Sequence, residues 1–146
     1  MPGYRLPVGY DFDDDPSRVQ VDVVWDFLSN QAYWERWRTR EQVEQQIRTA
    51  WRVVSCYEQE TGQLVGFTRA VSDGVALAYL ADVFVLPGHR GHGLGKELVR
   101  RTVEHEPGAG FRWLLHTRDA HGLYSQFGFR EPNDRLMERP HLSAWE

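Results

Sequence analysis

The segment Arg90-Gly91-His92-Gly93-Leu94-Gly95 separates two patterns that cannot run through one another. Before it, residues 75–86 read as a long apolar strand ended by Pro87, which cannot continue a paired ladder. After it, Leu94, Leu98, Val99, Thr102 and Val103 fall on one side of a helix spanning 94–106. Lys96, Glu97, Arg100, Arg101 and Glu104 fall on the other, and Pro107-Gly108 stops it. Glycines alternate at 91, 93 and 95, where their lack of a side chain lets backbone approach a ligand closely. A helix start presents unpaired N–H groups and the positive end of the helix dipole, so this turn is an anion site suited to a pyrophosphate. Arg90, Lys96, Arg100 and Arg101 add positive charge nearby. The plainer alternative is a strand-to-helix turn with exposed cations.

Two common nucleotide motifs fail on the residues. A Walker loop requires Ser or Thr after Gly-Lys, and Glu97 follows Gly95-Lys96. A dinucleotide fingerprint requires a third glycine at 98, where Leu98 stands, and it follows the first strand of a wound sheet. Here the preceding segments read as an antiparallel meander. Residues 52–59 and 64–72 are apolar strands separated by Glu60-Thr61-Gly62-Gln63, and Asp73-Gly74 supplies the next hairpin turn.

Upstream, Asp11, Asp13, Asp14 and Asp15 precede Pro16. Asp15 is expected to cap a helix over 16–29, in which Val19, Val23 and Phe27 recur every four residues. Thr39 is expected to cap a second helix running to about Trp51. Downstream, Trp113-Leu114-Leu115 begins a buried strand over 113–117, which makes a right-handed βαβ unit with strand 75–86. Asp119 is placed as the cap of a short helix 120–127 ended by Gly128, and a last strand runs from Phe129 to Met137. The class is α+β: a mixed, mostly antiparallel central sheet with helices on both faces.

Composition narrows the function classes. The 146 residues, 41% hydrophobic with six tryptophans, suit one folded domain. A net charge of −4 gives no reason to expect nucleic-acid binding. The single cysteine, Cys56, excludes an internal disulfide or a Cys-cluster zinc site and is expected to be a core residue. The six histidines show no metal spacing, so no metal is expected. No apolar run reaches the roughly 20 residues of a membrane span. Met1–Arg5 has no apolar signal core, so no membrane association and a cytoplasmic location are expected.

Val83 through Gly95, with its core Arg90-x-x-Gly93-x-Gly95, resembles motif A of the GCN5-related N-acetyltransferases (GNAT). Tyr124-Ser125-Gln126-Phe127-Gly128-Phe129 resembles the same family's Tyr-x-x-x-Gly-Phe segment, in the right order and spacing. The resemblance implies one acetyltransferase domain over 1–146 that uses acetyl-coenzyme A. Val83 and Val85 would pair through their backbones with the pantetheine arm, as an added strand does. Gly91, His92, Gly93, Leu94, Gly95 and Lys96 would meet the pyrophosphate, with Arg90 beside them. Asp119 stands near a point where many members have Asn, and capping a helix is its plainer reading. The resemblance also makes Tyr124 the general acid, which would protonate the departing thiolate.

A base is needed as well, because an amine of lysine type is mostly protonated at neutral pH. Asp82 lies in an apolar strand next to the expected acetyl site, so its pKa is expected to be raised. The alternative is a structural carboxylate satisfied by backbone N–H groups or an arginine. Glu35 and Asp73 are lesser candidates. The family's acceptor site maps onto Tyr33, Trp34, Glu35 and Trp37, whose aromatic faces and carboxylate suit a cationic amine. The acceptor would be a small-molecule or peptide amine, and a homodimer stays open. A non-catalytic acyl-coenzyme A sensing module on the same fold is the rival reading.

Overall fold

The structure, a computed structural model, describes residues 6–142. Five strands form one sheet in the order of the chain: β1 (Tyr10–Asp13), β2 (Arg52–Glu58), β3 (Leu64–Ser72), β4 (Leu77–Val85) and β5 (Arg112–Leu114). The first four pair antiparallel and β5 joins β4 in parallel. Four helices accompany them: α1 (Val21–Asn30), α2 (Arg40–Thr49), α3 (Leu94–Val103) and α4 (His121–Ser125). The βαβ unit is therefore β4, α3 and β5.

Residues alternate between the two faces of the sheet, except that a register shift at Val65 puts Leu64 and Phe67 on the same face. Val53, Leu64 and Phe67 pack with Val24, Phe27, Val43 and Ile47 of α1 and α2. Their strand neighbours Val54 and Val65 pack with Leu94 and Leu98 of α3 on the opposite face. With helices on both sides, β2 and β3 are buried almost throughout, so their apolar residues fall on both faces rather than on alternate positions only.

Several boundaries differ from the sequence expectation. Residues Tyr10–Asp13, read as an acidic approach to a helix, form the edge strand β1 against Ser55–Glu58. Asp15 does cap, accepting from Ser17 N at 2.9 Å, but it caps only the 3-10 turn Pro16–Arg18. The α-helix starts at Val21 because Gln20 is pinned: its amide donates to Gly62 O and its Oε1 accepts from Leu64 N. Thr39 caps α2 as expected, in a reciprocal box with Gln42. The helix placed over 94–106 ends at Val103, and the strand placed over 113–117 is Arg112–Leu114. Asp119 caps nothing: the N-cap of α4 is Ala120, whose N–H is taken by Thr117 Oγ1.

The expected last strand from Phe129 to Met137 does not form. Pro132 has no N–H to give a ladder, and Asn133 Oδ1 accepts from Arg135 N at 2.9 Å, closing a local turn instead. Glu97 departs from its expected place on the solvated face of α3. It is fully buried and gathers Arg100 and Arg101 at 2.7 Å each. Those two cations, expected to serve an anion site, are tied to Glu97.

Candidate active site

The site is shaped by a bulge in β4. Between the pairs Arg69–Ala81 and Phe67–Phe84, β3 has one residue and β4 has two, Asp82 and Val83. Asp82 takes up a left-handed φ of +54°, unusual for a residue with a side chain. The extra residue reverses the facing of the strand. Leu80 packs on the α3 side with Val99 and Tyr124, whereas Phe84, four residues on, packs on the α1–α2 side. Without a bulge the two would share a face.

Asp82 consequently points into the layer beneath α1 and α2, where it is 5% exposed. Its carboxylate accepts from Arg38 Nη1 and Nη2 at 2.8 and 2.9 Å, from Arg69 Nε at 2.9 Å and from Trp34 Nε1 at 2.7 Å. Burial pushes its pKa up. The Arg38 hydrogen bonds, the charges of Arg69 and Arg38, and the Trp34 hydrogen bond outweigh that and hold it below the usual carboxylate value. The expectation of a raised pKa is overturned, because the apolar strand neighbours are not the groups that Asp82 meets. Arg38 and Arg69 carry no periodic signal in the sequence; a charge inside the apolar run of β3 was the one available hint.

Strands β4 and β5 part company just past this region. Their last pair is Tyr79 with Leu114, so Leu80–Val85 runs on without a β5 neighbour. Val83 and Val85 lie on this stretch, and their side chains pack in the α3-side core. The open edge leads to the glycine turn. Gly91 and Gly93 have φ of +88° and +77°, and Gly93 is the N-cap of α3 in the left-handed region. The helix's first turn follows, its N–H groups pointing back along the axis. Arg90 Nε donates to Val85 O at 3.1 Å and fastens the turn to the strand end, while His92 lies on the exposed surface. His89 shares a hydrogen bond with Tyr10.

A cavity of about 910 Å³ opens in the fork, lined by Tyr79–Val83 on one prong and Leu115–Ala120 on the other. Tyr33, Trp34, Glu35, Trp37, Asp82, Val83, Asp119 and Tyr124 all line it, so residues placed apart in sequence do converge. Tyr124 is buried on α4, and burial, followed by the charges of Tyr33 and Asp119, pushes its phenol up to about 12. Tyr33 Oη accepts from Arg118 N, and the Arg118 guanidinium lies over its ring at 3.8 Å. Trp37 stacks on His141 at 4.1 Å. Trp34 is committed to Asp82 and packs edge-on with Tyr33. Asp73 is outside this group, held in the β3–β4 turn by the N–H groups of Val75, Ala76 and Leu77. Among the cavity residues that sequence reasoning missed are Tyr79, His116, Arg118, Glu138 and His141. Cys56 is buried and its thiol is pushed up to about 12 by burial.

A sheet that forks beside a bulged strand, with a glycine turn and helix start at the end of the open edge, defines the acyl-coenzyme A N-acyltransferase fold. The profile of the Acetyltransferase (GNAT) family matches residues 21–129, and the chain belongs to that family. A GNAT-family acetyltransferase structure from Xanthomonas campestris superposes with a TM-score of 0.84 at 34% identity, covering 90% of this chain and 93% of that one. A Gibberella zeae protein named as an acetyltransferase is 27% identical over 116 residues, covering 77% of this chain and 63% of its own. Glucosamine 6-phosphate N-acetyltransferase 1 of Oryza sativa is 37% identical over 62 residues, 41% of this chain and 38% of that protein. The chain thus spans less than two thirds of these two relatives.

Proposed function

We propose that the protein transfers an acetyl group from acetyl-coenzyme A directly to a primary amine. The observation that carries this reading is the stretch Leu80–Val85, open on its β5 side, which runs from a cavity holding Tyr124 toward the N-terminus of α3. An open strand edge suits an amide-bearing pantetheine chain, and a helix start behind positive-φ glycines suits a pyrophosphate. The residues of this chain therefore fit the coenzyme. The backbones of Val83 and Val85 would hold its arm, and the turn from Gly91 to Lys96 would hold its phosphates, with Arg90 fastening the turn. Acetyl-coenzyme A supplies a thioester carbonyl activated for attack.

Tyr124 is assigned the acid. Its phenol, raised to about 12, stays protonated at neutral pH and has a proton at Oη to give to a departing sulfur. The burial that raises the phenol also raises a thiolate set beside it, which keeps donor and acceptor matched. Direct transfer is favoured over an acyl-enzyme because Cys56 is buried and carries no thiolate at neutral pH. Asp82, locked by two arginines, is assigned to holding the β4 bulge rather than to proton transfer. Tyr33 and Trp37 form the acceptor wall with Glu35, and Trp34 braces that wall through Asp82.

The test is incubation with acetyl-coenzyme A and a panel of small and peptide amines, following free thiol release, beside calorimetric titration with coenzyme alone. Release with at least one amine supports the reading. Tight coenzyme binding without release on any amine favours a sensing module, and no binding refutes the coenzyme site.

A further inference from the structure

The cavity contains a second polar constellation that no step above uses. Tyr79 Oη is hydrogen-bonded to His116 Nδ1, and His116 Nε2 is 2.6 Å from Glu138 Oε2. Each comes from a different part of the chain: β4, the segment after β5, and the C-terminal segment. All three line the same cavity as Tyr124. Tyr79 belongs to the last β4–β5 pair, so the group stands at the fork itself.

The bonding pattern suits one tautomer of His116. A carboxylate only accepts, so Nε2 carries the hydrogen that Glu138 receives. In the neutral imidazole of this tautomer Nδ1 offers a lone pair, to which the Tyr79 hydroxyl can donate. This is the arrangement of a nucleophile–histidine–carboxylate triad, with a phenol in the leading position. The His116 and Glu138 side chains are 64% and 54% exposed, so neither is structural filler for a core.

Resting on the acetyl-transfer reading, we propose that Tyr79, His116 and Glu138 are the relay that removes the proton from the acceptor's ammonium. An N–H bond of the ammonium breaks as an O–H bond forms at Tyr79 Oη. The original Tyr79 proton passes to His116 Nδ1, giving an imidazolium held against the Glu138 carboxylate. The amine keeps its electron pair for attack; the relay gains one positive charge as the acceptor loses one, so the total charge is unchanged. Burial, followed by the charges of Glu35, Glu138 and Asp82 with Arg69 opposing, pushes the Tyr79 phenol up to about 12. Such a phenol does not ionise by itself at neutral pH, so the proton must move through it in concert with His116. Tyr79 is the group that meets the amine; His116 and Glu138 act through it.

Three variants test the relay: Tyr79→Phe, His116→Gln and Glu138→Gln. With the best amine found in the panel, kcat/KM at pH 6.5 should fall about 100-fold in the first two and about 10-fold in the third. The deficit should shrink as pH rises toward the acceptor's own pKa, where free amine needs no base. Coenzyme affinity should stay within about twofold of wild type. A loss independent of pH, or an unchanged profile in Tyr79→Phe, overturns the proposal. Nitrogen-15 spectra of the histidine rings in the free wild-type protein give a second readout. His116 should be the Nε2–H tautomer, with Glu138→Gln mixing in the other. An Nδ1–H tautomer in the wild type overturns the proposal even if no acceptor is found, whereas failure of wild type on every amine refutes acetyl transfer instead.

Discussion

Replacing Asp82 by Asn separates an anchor from a base. In the wild type one carboxylate, 5% exposed, neutralises two guanidiniums, with Arg38 itself only 4% exposed and Arg69 6% exposed. Asparagine keeps the shape but removes the charge, and its amide nitrogen presents hydrogens to groups that only donate. Two buried cations then lose the carboxylate they share, and of its carboxylate contacts Arg38 keeps only the longer one, to Glu35 at 3.7 Å. Removing one partner of a buried pair costs about 3–5 kcal/mol. At about 2–4 °C per kcal/mol for a chain near this length, the melting temperature should drop by roughly 6–20 °C. The pH dependence has a definite sign. The folded pKa of Asp82 lies below its unfolded value near 3.9, so the stabilisation is complete at neutral pH. It is lost as pH falls through the folded value, and the gap between wild type and variant should close in acid. The assay is urea unfolding and calorimetry of both proteins at pH 7 and near pH 3. Adding Arg38→Gln should cost less than the sum of the single losses, because one buried guanidinium instead of two then lacks the Asp82 carboxylate. A melting temperature within about 2 °C of wild type, together with a displaced acid limb of kcat/KM, would refute the anchor and restore Asp82 as the base.

Other perturbations follow from the same structure. Tyr124→Phe should lower kcat by about 10²–10⁴-fold while leaving the coenzyme Kd nearly unchanged, measured by stopped assay and calorimetry. Because the Tyr124 phenol is raised to about 12, no alkaline loss of activity below pH 10 should be traceable to it; a wild-type limb near pH 9 that vanishes in the variant would contradict that value. Gly93→Ala forces a side chain into a φ of +77° and should cost about 1–2 kcal/mol in urea unfolding, with weaker coenzyme binding in titration. Thr39→Ala removes one half of the capping box on α2 and should cost about 1 kcal/mol, read as a lower urea midpoint with an unchanged m-value.

Local chemistry made much of the scaffold legible. Thr39 caps α2 whatever surrounds it, because its oxygen reaches an N–H three residues away. Residues 64–72 read as a strand from Leu64, Val65, Phe67 and Val71, and the strand forms over Leu64–Ser72. Where a distant partner decides, the sequence is silent. Tyr10–Asp13 becomes a strand only because β2 has an open edge for it, and α1 begins late only because Gln20 is held by Gly62 and Leu64. Phe129–Met137 has strand-like residues at its ends, but Pro132 and the Asn133 turn remove the ladder.

The site divides the same way. The glycine turn and the Tyr124 segment are contiguous motifs, since a helix start and a short amphipathic turn are built from neighbours in the chain. The ordering of elements around them was enough to place the chain in its family. The environment of each carboxylate was not. Asp82 looks unpaired in its strand, yet a one-residue bulge turns it toward Arg38, Arg69 and Trp34 and reverses the sign of its pKa shift. Glu97 looks solvated on its helix, yet it is buried and claims two cations that sequence alone offers to a phosphate. Tyr79, His116 and Glu138 are unremarkable in sequence and meet only where β4 and β5 diverge. The sequence by itself determined the frame and the glycine turn, because those depend on residues within a few positions of one another. Which ionisable groups are free to move protons was decided by the tertiary structure, because charge is set by whatever the fold brings within about 3 Å.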